Sequence, residues 1–182
     1  IMSLKDQGAR IACWGVGTKL VTAYDQPALG GVYKLGAIRR EGGDWTYRVK
    51  VSEQTAKVST PGILQVRRYR ENGQFVGDMI HDERRAIPAE PVIVHPVDPA
   101  RRKAIPEGAT GEDLLVPVFR GGQRVYDPPP PAETRARVGE QLAGLHEGVK
   151  RFLNPHSYPT GLEKGLHDLK MRLILEARGL GE

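Results

Sequence analysis

A short segment near the start of the chain combines two glycines with a threonine, in the order Gly15-Val16-Gly17-Thr18. Glycine has no Cβ atom, so the backbone N–H groups of such a segment can approach a phosphate closely. The threonine hydroxyl adds one further hydrogen-bond donor. Gly15, Gly17 and Thr18 are therefore candidate phosphate ligands, although a tight turn that serves only packing produces the same pattern.

The residues around this loop predict part of an α/β barrel. Residues 1–7 are expected to end a helix at Gly8, and residues 10–14 to form a short buried strand. Barrel enzymes place their active sites at the carboxyl ends of the strands, which is the position of the loop. A parallel strand needs neighbouring strands and covering helices. We therefore expect the chain to be the carboxyl-terminal piece of a larger α/β enzyme.

Residues 31–127 predict an antiparallel β module, because apolar and polar residues alternate in segments that turn residues connect. The three predicted hairpins pair residues 31–39 with 45–51, 64–70 with 75–81, and 114–119 with 123–126. Pro117 indicates that its strand lies at a sheet edge. Residues 84–113 are predicted to form a surface loop that contains one edge strand, residues 91–94.

Residues 128–182 predict two amphipathic helices that pack on the β module or on the barrel. The first helix has an apolar stripe formed by Val138, Leu142, Leu145, Val149 and Phe152, and Asn154-Pro155 would end it. The second would start with a capping box, Thr160 to Glu163. Its stripe comprises Leu162, Leu166, Leu169, Leu173 and Ala177, with Gly179 as its end. The expected fold class is an α+β fragment: the end of a barrel in residues 1–30, the hairpin module, and two C-terminal helices.

Composition limits the classes of protein that the chain can represent. The 182 residues have a formal net charge of +5 and include one cysteine, Cys13, so no internal disulfide can form. Without a long apolar run or a signal-like segment, a cytoplasmic protein that does not contact a membrane is expected. The basic charge suits a phosphate ester, and Cys13 is expected to be a buried strand residue. No metal site is predicted, since His81 and Asp82 diverge on a strand.

Arg67, Arg68 and Arg70 flank Tyr69 on one predicted strand. This pattern is compatible with a nucleic-acid face on which the tyrosine stacks on bases. A solvated strand face explains it better, because successive side chains point to opposite sides of a sheet. A non-catalytic basic β module that binds RNA or a protein partner stays as the alternative function, although nucleic acid is not the expected ligand.

Four segments of the sequence resemble one enzyme family. Residues 14–35, which contain the glycine loop, closely resemble the nicotinate phosphoribosyltransferase family. Residues 51–62, 65–70 and 154–158 also look like that family, so the resemblance covers essentially the whole chain. It implies an irregular α/β barrel together with an open β domain. It also implies synthesis of nicotinate mononucleotide from nicotinate and phosphoribosyl pyrophosphate, with ATP hydrolysis coupled through a phosphohistidine.

The resemblance also assigns roles to particular residues. Gly15, Gly17 and Thr18 would hold the 5′-phosphate of the phosphoribosyl group. The family's phosphohistidine and its nicotinate-binding arginine lie upstream of this loop, so no residue of this chain is expected to be catalytic. ATP and Mg²⁺ would serve the full-length enzyme and would not bind this piece, which is expected to be inactive alone. The implied partners are the N-terminal portion of the same enzyme and a second copy in a homodimer.

Overall fold

The computed structural model describes residues 1–28, 30–54 and 57–181. The chain divides into two compact units, Ile1–Tyr33 and Lys34–Glu182. The first unit contains helices α1 (Met2–Asp6) and α2 (Thr18–Val21), whereas all the described strands lie in the second. Regular secondary structure is therefore concentrated in the second unit.

The first unit differs in one respect from the sequence prediction. Helix α1 is followed by Gly8 with a φ of 82°, the left-handed conformation that commonly ends helices. The strand predicted for residues 10–14 does not form. A strand is stabilised by hydrogen bonds to neighbouring strands, and the described part of this unit contains none. Cys13, which was expected to be buried in that strand, is exposed.

The second unit is built around a six-stranded sheet. In chain order the strands are β1 (Ala37–Arg39), β2 (Trp45–Tyr47), β3 (Leu64–Glu71), β4 (Gln74–Asp82), β5 (Val92–Val94), β6 (Arg102–Ala104), β7 (Thr110–Asp113), β8 (Phe119–Arg120), β9 (Gln123–Arg124) and β10 (Thr160–Glu163). The large sheet has the order β6-β5-β10-β4-β3-β7, and β1-β2 and β8-β9 form two small sheets. Only β10 and β4 run parallel; the other described pairs are antiparallel.

Antiparallel pairs lie at the three places where the sequence predicts hairpins. The longest pair, β3 and β4, turns at Asn72 and Gly73, which have φ values of 48° and 80°. Asn-Gly is the pair of residues that tolerates two such values in succession. The third pair is shorter than predicted, and residues 114–118 lie outside any strand. Pro117 has no N–H with which to extend the pairing.

Residues 92–94 form an interior strand and not the predicted edge strand. Strand β5 lies between β6 and β10, and Ile93 and Val94 are 2% and 1% exposed. Its partner β10 is far away in the sequence and pairs Leu162 with Val94, so local patterning could not reveal the interior position. Residues 84–113, predicted to be a loop with a single strand, also contain β6 and β7.

Helix α3 (Pro131–Gly144) is shorter at its C-terminus than the predicted first helix. Leu145, Val149 and Phe152 therefore do not extend its apolar stripe, and Asn154-Pro155 does not end it. Gly144 lies so close to the Phe75 ring that a Cβ atom would collide with it. The last residue of α3 thus contacts β4, and the sequence pattern does not contain this contact.

Helix α4 (Lys164–Ala177) begins with a different cap from the predicted one. The Glu163 carboxylate accepts hydrogen bonds from the N–H groups of Gly165 and Leu166, at 2.8 and 2.9 Å. Thr160, predicted to be the cap, lies in β10, because the pairing of β10 with β4 begins at this residue. Helix α4 therefore begins directly after strand β10 ends.

Two apolar clusters of the second unit form its core. One consists of Tyr69, Met79, Ile93 and Ile105, and the other of Leu162, Leu166 and Leu169. The neighbouring β4 residues Met79 and Ile80 belong to different clusters, because successive side chains of a strand point to opposite faces. Full burial of such a side chain contributes about 1.5–3 kcal/mol. The sheet and α4 therefore supply the apolar core of this unit.

Candidate functional site

The three residues predicted to bind phosphate lie together at the start of α2. Gly17 is the N-cap residue of this helix and Thr18 is its first residue. Gly15, Gly17 and Thr18 are all exposed. The first unit therefore presents them as one accessible segment, which we call the glycine loop (residues 15–18).

The two glycines of the loop have no evident internal role in the described part of the chain. Neither has a φ in the left-handed region. A Cβ atom added to Gly15 or Gly17 would meet no atom within 4 Å. Left-handed backbone and close internal contact are the usual structural reasons for glycine. Neither applies here, which is compatible with close approach of a ligand.

Hydrogen-bonding groups of the loop are available for a ligand. Within the described residues, the backbone N–H groups of residues 15–19 donate to no other group of the chain. The Thr18 carbonyl is used internally, since it accepts from the N–H and the hydroxyl of Thr22 at 2.9 and 2.8 Å. The ammonium group of Lys19, 4.8 Å from the Tyr24 ring centroid, adds a positive charge next to the loop. These groups can together hold a small anion.

The arginines of β3 are engaged within the second unit. Arg67 donates to both carboxylate oxygens of Asp113, at 2.7 and 2.8 Å. Arg68 does the same with Asp78, at 2.8 and 2.6 Å, and Arg70 donates to a turn carbonyl. The Arg67 hydrogen bond lowers the pKa of Asp113. These contacts give the three arginines structural roles, and nothing in them favours RNA binding.

Asp78, His81 and Asp82, which are close in sequence, point to different partners. Asp78 accepts from Tyr158 at 2.8 Å, Asp82 accepts from Tyr47, and His81 lies 3.7 Å from Asp113. Burial, together with the hydrogen bond to Asp78, raises the pKa of Tyr158. In the described part of the chain, no three His, Cys, Asp or Glu side chains are grouped in a way that could hold a metal ion.

Sequence reasoning missed an open groove of about 590 Å³ beside α3. Its polar lining includes Arg68, Asp78 and Tyr158, and its apolar lining includes Phe75 and Leu142. The register of β3 and β4 places Arg68 directly opposite Asp78, which the predicted hairpin could have indicated. The contribution of α3 could not be found in this way, because it depends on tertiary packing.

None of the described helices has the length and apolar content that a bilayer crossing requires.

The fold is of the α+β class, with a mostly antiparallel sheet and few helices. The family of nicotinate phosphoribosyltransferase C-terminal domains matches residues 65–170, more than half of the chain. The chain therefore belongs to this family. The glycine loop lies outside the matched residues.

Individual relatives extend the match to the first unit. A nicotinate phosphoribosyltransferase of Bacillus subtilis is 40% identical over 182 residues, covering 98% of this chain and 37% of the relative. One from Caenorhabditis elegans is 31% identical and covers 100% of this chain and 32% of the relative. The chain thus spans about a third of the length of these curated relatives.

A solved structure supports the fold. The crystal structure of human nicotinic acid phosphoribosyltransferase matches with a TM-score of 0.55 and 22% sequence identity. The match covers 76% of this chain and 27% of the human chain. At this level of identity, the likeness concerns the fold alone.

Proposed function

We propose that this chain is part of a nicotinate phosphoribosyltransferase, which forms nicotinate mononucleotide from nicotinate and phosphoribosyl pyrophosphate with ATP hydrolysis, in NAD biosynthesis. Within that enzyme, the glycine loop binds the 5′-phosphate of the phosphoribosyl group. The backbone N–H groups of Gly15 and Gly17 and the hydroxyl of Thr18 act as donors. The proposal is supported by the family to which the chain belongs and by the activity that its relatives' names state.

The observation that carries the site assignment is the unused space around Gly15 and Gly17. A phosphate dianion is held best by several N–H groups at short distance, because hydrogen bonds to a charged acceptor are stronger than neutral ones. The loop offers accessible N–H groups that have no partner in the described chain. Since a Cβ atom at either glycine would meet nothing within 4 Å, the space above them is open to a ligand.

The proposal extends to the organisation of the chain. Residues 1–30 are assigned to the end of the phosphoribosyltransferase barrel, residues 31–127 to the β module, and residues 128–182 to helices that pack on it. In support, the described residues of the first unit include no buried side chain, as expected of a segment whose packing partners belong to a barrel. Residue 29, within the first assigned segment, lies outside the described residues.

The chemistry of the enzyme is assigned to groups outside this chain. The phosphohistidine, the nicotinate-binding arginine and the binding of ATP and Mg²⁺ belong to the N-terminal portion of the enzyme, which is also the proposed packing partner. None of the five histidines is given the phosphohistidine role. The isolated chain is therefore expected to form no nicotinate mononucleotide, and measurable turnover by the isolated chain would contradict the assignment.

The Thr18→Val variant of the full-length enzyme tests the role of the loop. Loss of one hydrogen bond to a charged phosphate costs about 1–3 kcal/mol, so the KM for phosphoribosyl pyrophosphate should rise about 5- to 150-fold. Thr22→Val is the matched control, because the Thr22 hydroxyl already donates to the Thr18 carbonyl and is not needed by the ligand. An unchanged KM in Thr18→Val, or equal changes in both variants, would remove Thr18 from the site.

A further inference from the structure

The chain contains two asparagines, Asn72 and Asn154, and they share the same backbone conformation. Each is exposed, and each has a φ of 48°, in the left-handed region that asparagine visits more readily than most residues. They differ in the residue that follows, which is Gly73 after Asn72 and Pro155 after Asn154. The pair therefore isolates the effect of the following residue on the chemistry of an asparagine side chain.

The turn between β3 and β4 leaves the Asn72 carboxamide and the Gly73 N–H group without partners in the described part of the chain. The Gly73 N–H group lies in the turn and donates no described hydrogen bond. The described side-chain hydrogen bond at this turn runs from Arg70 to the Gly73 carbonyl, at 3.2 Å. A Cβ atom added to Gly73 would meet nothing within 4 Å. The space beside Gly73 is therefore open.

An asparagine side chain can react with the backbone nitrogen of the following residue, which makes asparagine one of the chemically labile residue types. A bond between Asn72 Cγ and the Gly73 nitrogen closes a five-membered imide ring. Glycine favours this step, because it has no Cβ atom to obstruct the approach to its nitrogen. Proline has no N–H group, so the Pro155 nitrogen has no proton to lose and cannot close this ring with Asn154.

From this comparison we infer that Asn72 is a site of spontaneous deamidation in the folded chain, with water as the co-reactant. The Gly73 nitrogen gives its proton to the solvent and attacks Asn72 Cγ. The new N–Cγ bond forms, the Cγ–Nδ2 bond breaks, and the amide nitrogen takes up a proton and leaves as ammonia. Water then adds its hydroxyl group to one of the two imide carbonyl carbons and its proton to the Gly73 nitrogen. Opening at Cγ gives aspartate, and opening at the main-chain carbonyl carbon gives isoaspartate.

The modification falls at the connection between two interior strands of the large sheet. The pairing of β3 with β4 includes Glu71 and Gln74, directly beside the turn. Both products carry a carboxylate that is ionised at neutral pH, so the formal net charge of the chain falls from +5 to +4. Isoaspartate also lengthens the main chain between the two strands. The site is separate from the glycine loop and does not depend on the proposed enzymatic activity.

Incubation of the folded 182-residue chain at pH 8 and at pH 6 tests this inference. Peptide mapping by mass spectrometry measures the modified fraction at each asparagine. Asn72 should be converted progressively, and several-fold faster at pH 8, because the attack requires the deprotonated nitrogen. Asn154 should stay unmodified. No conversion of Asn72 in the folded chain, or equal conversion of the two asparagines, would overturn the inference.

A pair of aspartate substitutions tests which nitrogen attacks. Gly73 and Gly122 have φ values of 80° and 77° in two hairpin turns, a Cβ atom at either would meet nothing within 4 Å, and aspartate tolerates this conformation. Gly73→Asp places a side chain beside the attacking nitrogen and should slow the conversion of Asn72 several-fold, whereas Gly122→Asp should keep the wild-type rate. Equal rates in the two variants would contradict the role of the Gly73 nitrogen. The comparison of Asn72 with Asn154 in the wild-type chain stands even where a variant fails to fold.

Discussion

Three glycines of the second unit and two of the first have opposite surroundings. In the second unit, a Cβ atom on Gly77, Gly144 or Gly161 would collide with a neighbouring side chain or with the backbone. In the first unit, a Cβ atom on Gly15 or Gly17 would meet nothing within 4 Å. Packing thus requires glycine at these three positions of the second unit, whereas the described structure does not require it at Gly15 or Gly17.

Apolar side chains show the same contrast. The second unit contains two clusters of buried residues, whereas no described residue of the first unit is buried. Val21 and Val32 of the first unit are 83% and 82% exposed. The stability of the chain therefore comes from the second unit, and the first unit presents its side chains and backbone groups for contacts with other molecules or other segments.

The largest expected effect is a difference in the free energy of unfolding between two variants, each with one glycine of one unit replaced by alanine. Gly161→Ala would place a methyl group against the Val94 carbonyl group, which should lower the free energy of unfolding by about 3 kcal/mol. Gly15→Ala should change it by less than about 0.5 kcal/mol. Urea unfolding monitored by circular dichroism measures both values. A stable Gly161→Ala chain, or a strongly destabilised Gly15→Ala chain, would break the comparison.

Removal of the Asp78 carboxylate should cause the next largest loss in the free energy of unfolding. Asp78 is 14% exposed and pairs with Arg68, so Asp78→Asn leaves that guanidinium without its charged partner. We expect a loss of about 2 kcal/mol in the free energy of unfolding. Asp127, which is 91% exposed and pairs with Arg124, provides the control, and Asp127→Asn should cost less than about 0.5 kcal/mol. Equal losses in the two variants would show that burial does not determine the strength of these pairs.

The smallest expected effect is the loss of the stability that Asp113 contributes, as the pH becomes acid. The Arg67 hydrogen bond lowers the pKa of Asp113, so the folded state binds the carboxylate proton less tightly than the unfolded state. This contribution is present above the unfolded pKa, near 3.8, and is lost as the pH falls through the folded pKa. Because Asp113 is 39% exposed, it should amount to at most about 1 kcal/mol. Asp113→Asn should therefore lose less stability than the wild-type chain between pH 7 and pH 3, and an identical loss would contradict the assignment.

Local patterns in the sequence predicted those parts of the fold that depend on neighbouring residues. The turn at Asn72-Gly73 and the helical stripe that includes Leu166 and Leu169 are in this class. The interior position of β5 depends on β10, which lies far along the chain. The close contact of Gly144, at the end of α3, with the Phe75 ring likewise depends on tertiary packing. The strand predicted for residues 10–14 does not form. Its expected partner strands are not among the described residues.

The candidate functional site could likewise be predicted from the sequence only where it depends on neighbouring residues. The order of residue types from Gly15 to Thr18 indicated a phosphate loop, and its N–H groups are accessible in the described structure. The groove beside α3 could be predicted only in part, because the contribution of α3 to its lining arises from tertiary packing.

We propose that the first unit binds the phosphate, and that the basic strand β3 of the second unit does not. An NMR titration of the ¹⁵N-labelled chain with ribose 5-phosphate tests this most directly, because it detects weak binding residue by residue. We expect the largest amide shifts at Gly15, Gly17 and Thr18, and these shifts should saturate together. Largest shifts at residues 67–70, or no saturable shifts in the glycine loop, would contradict it.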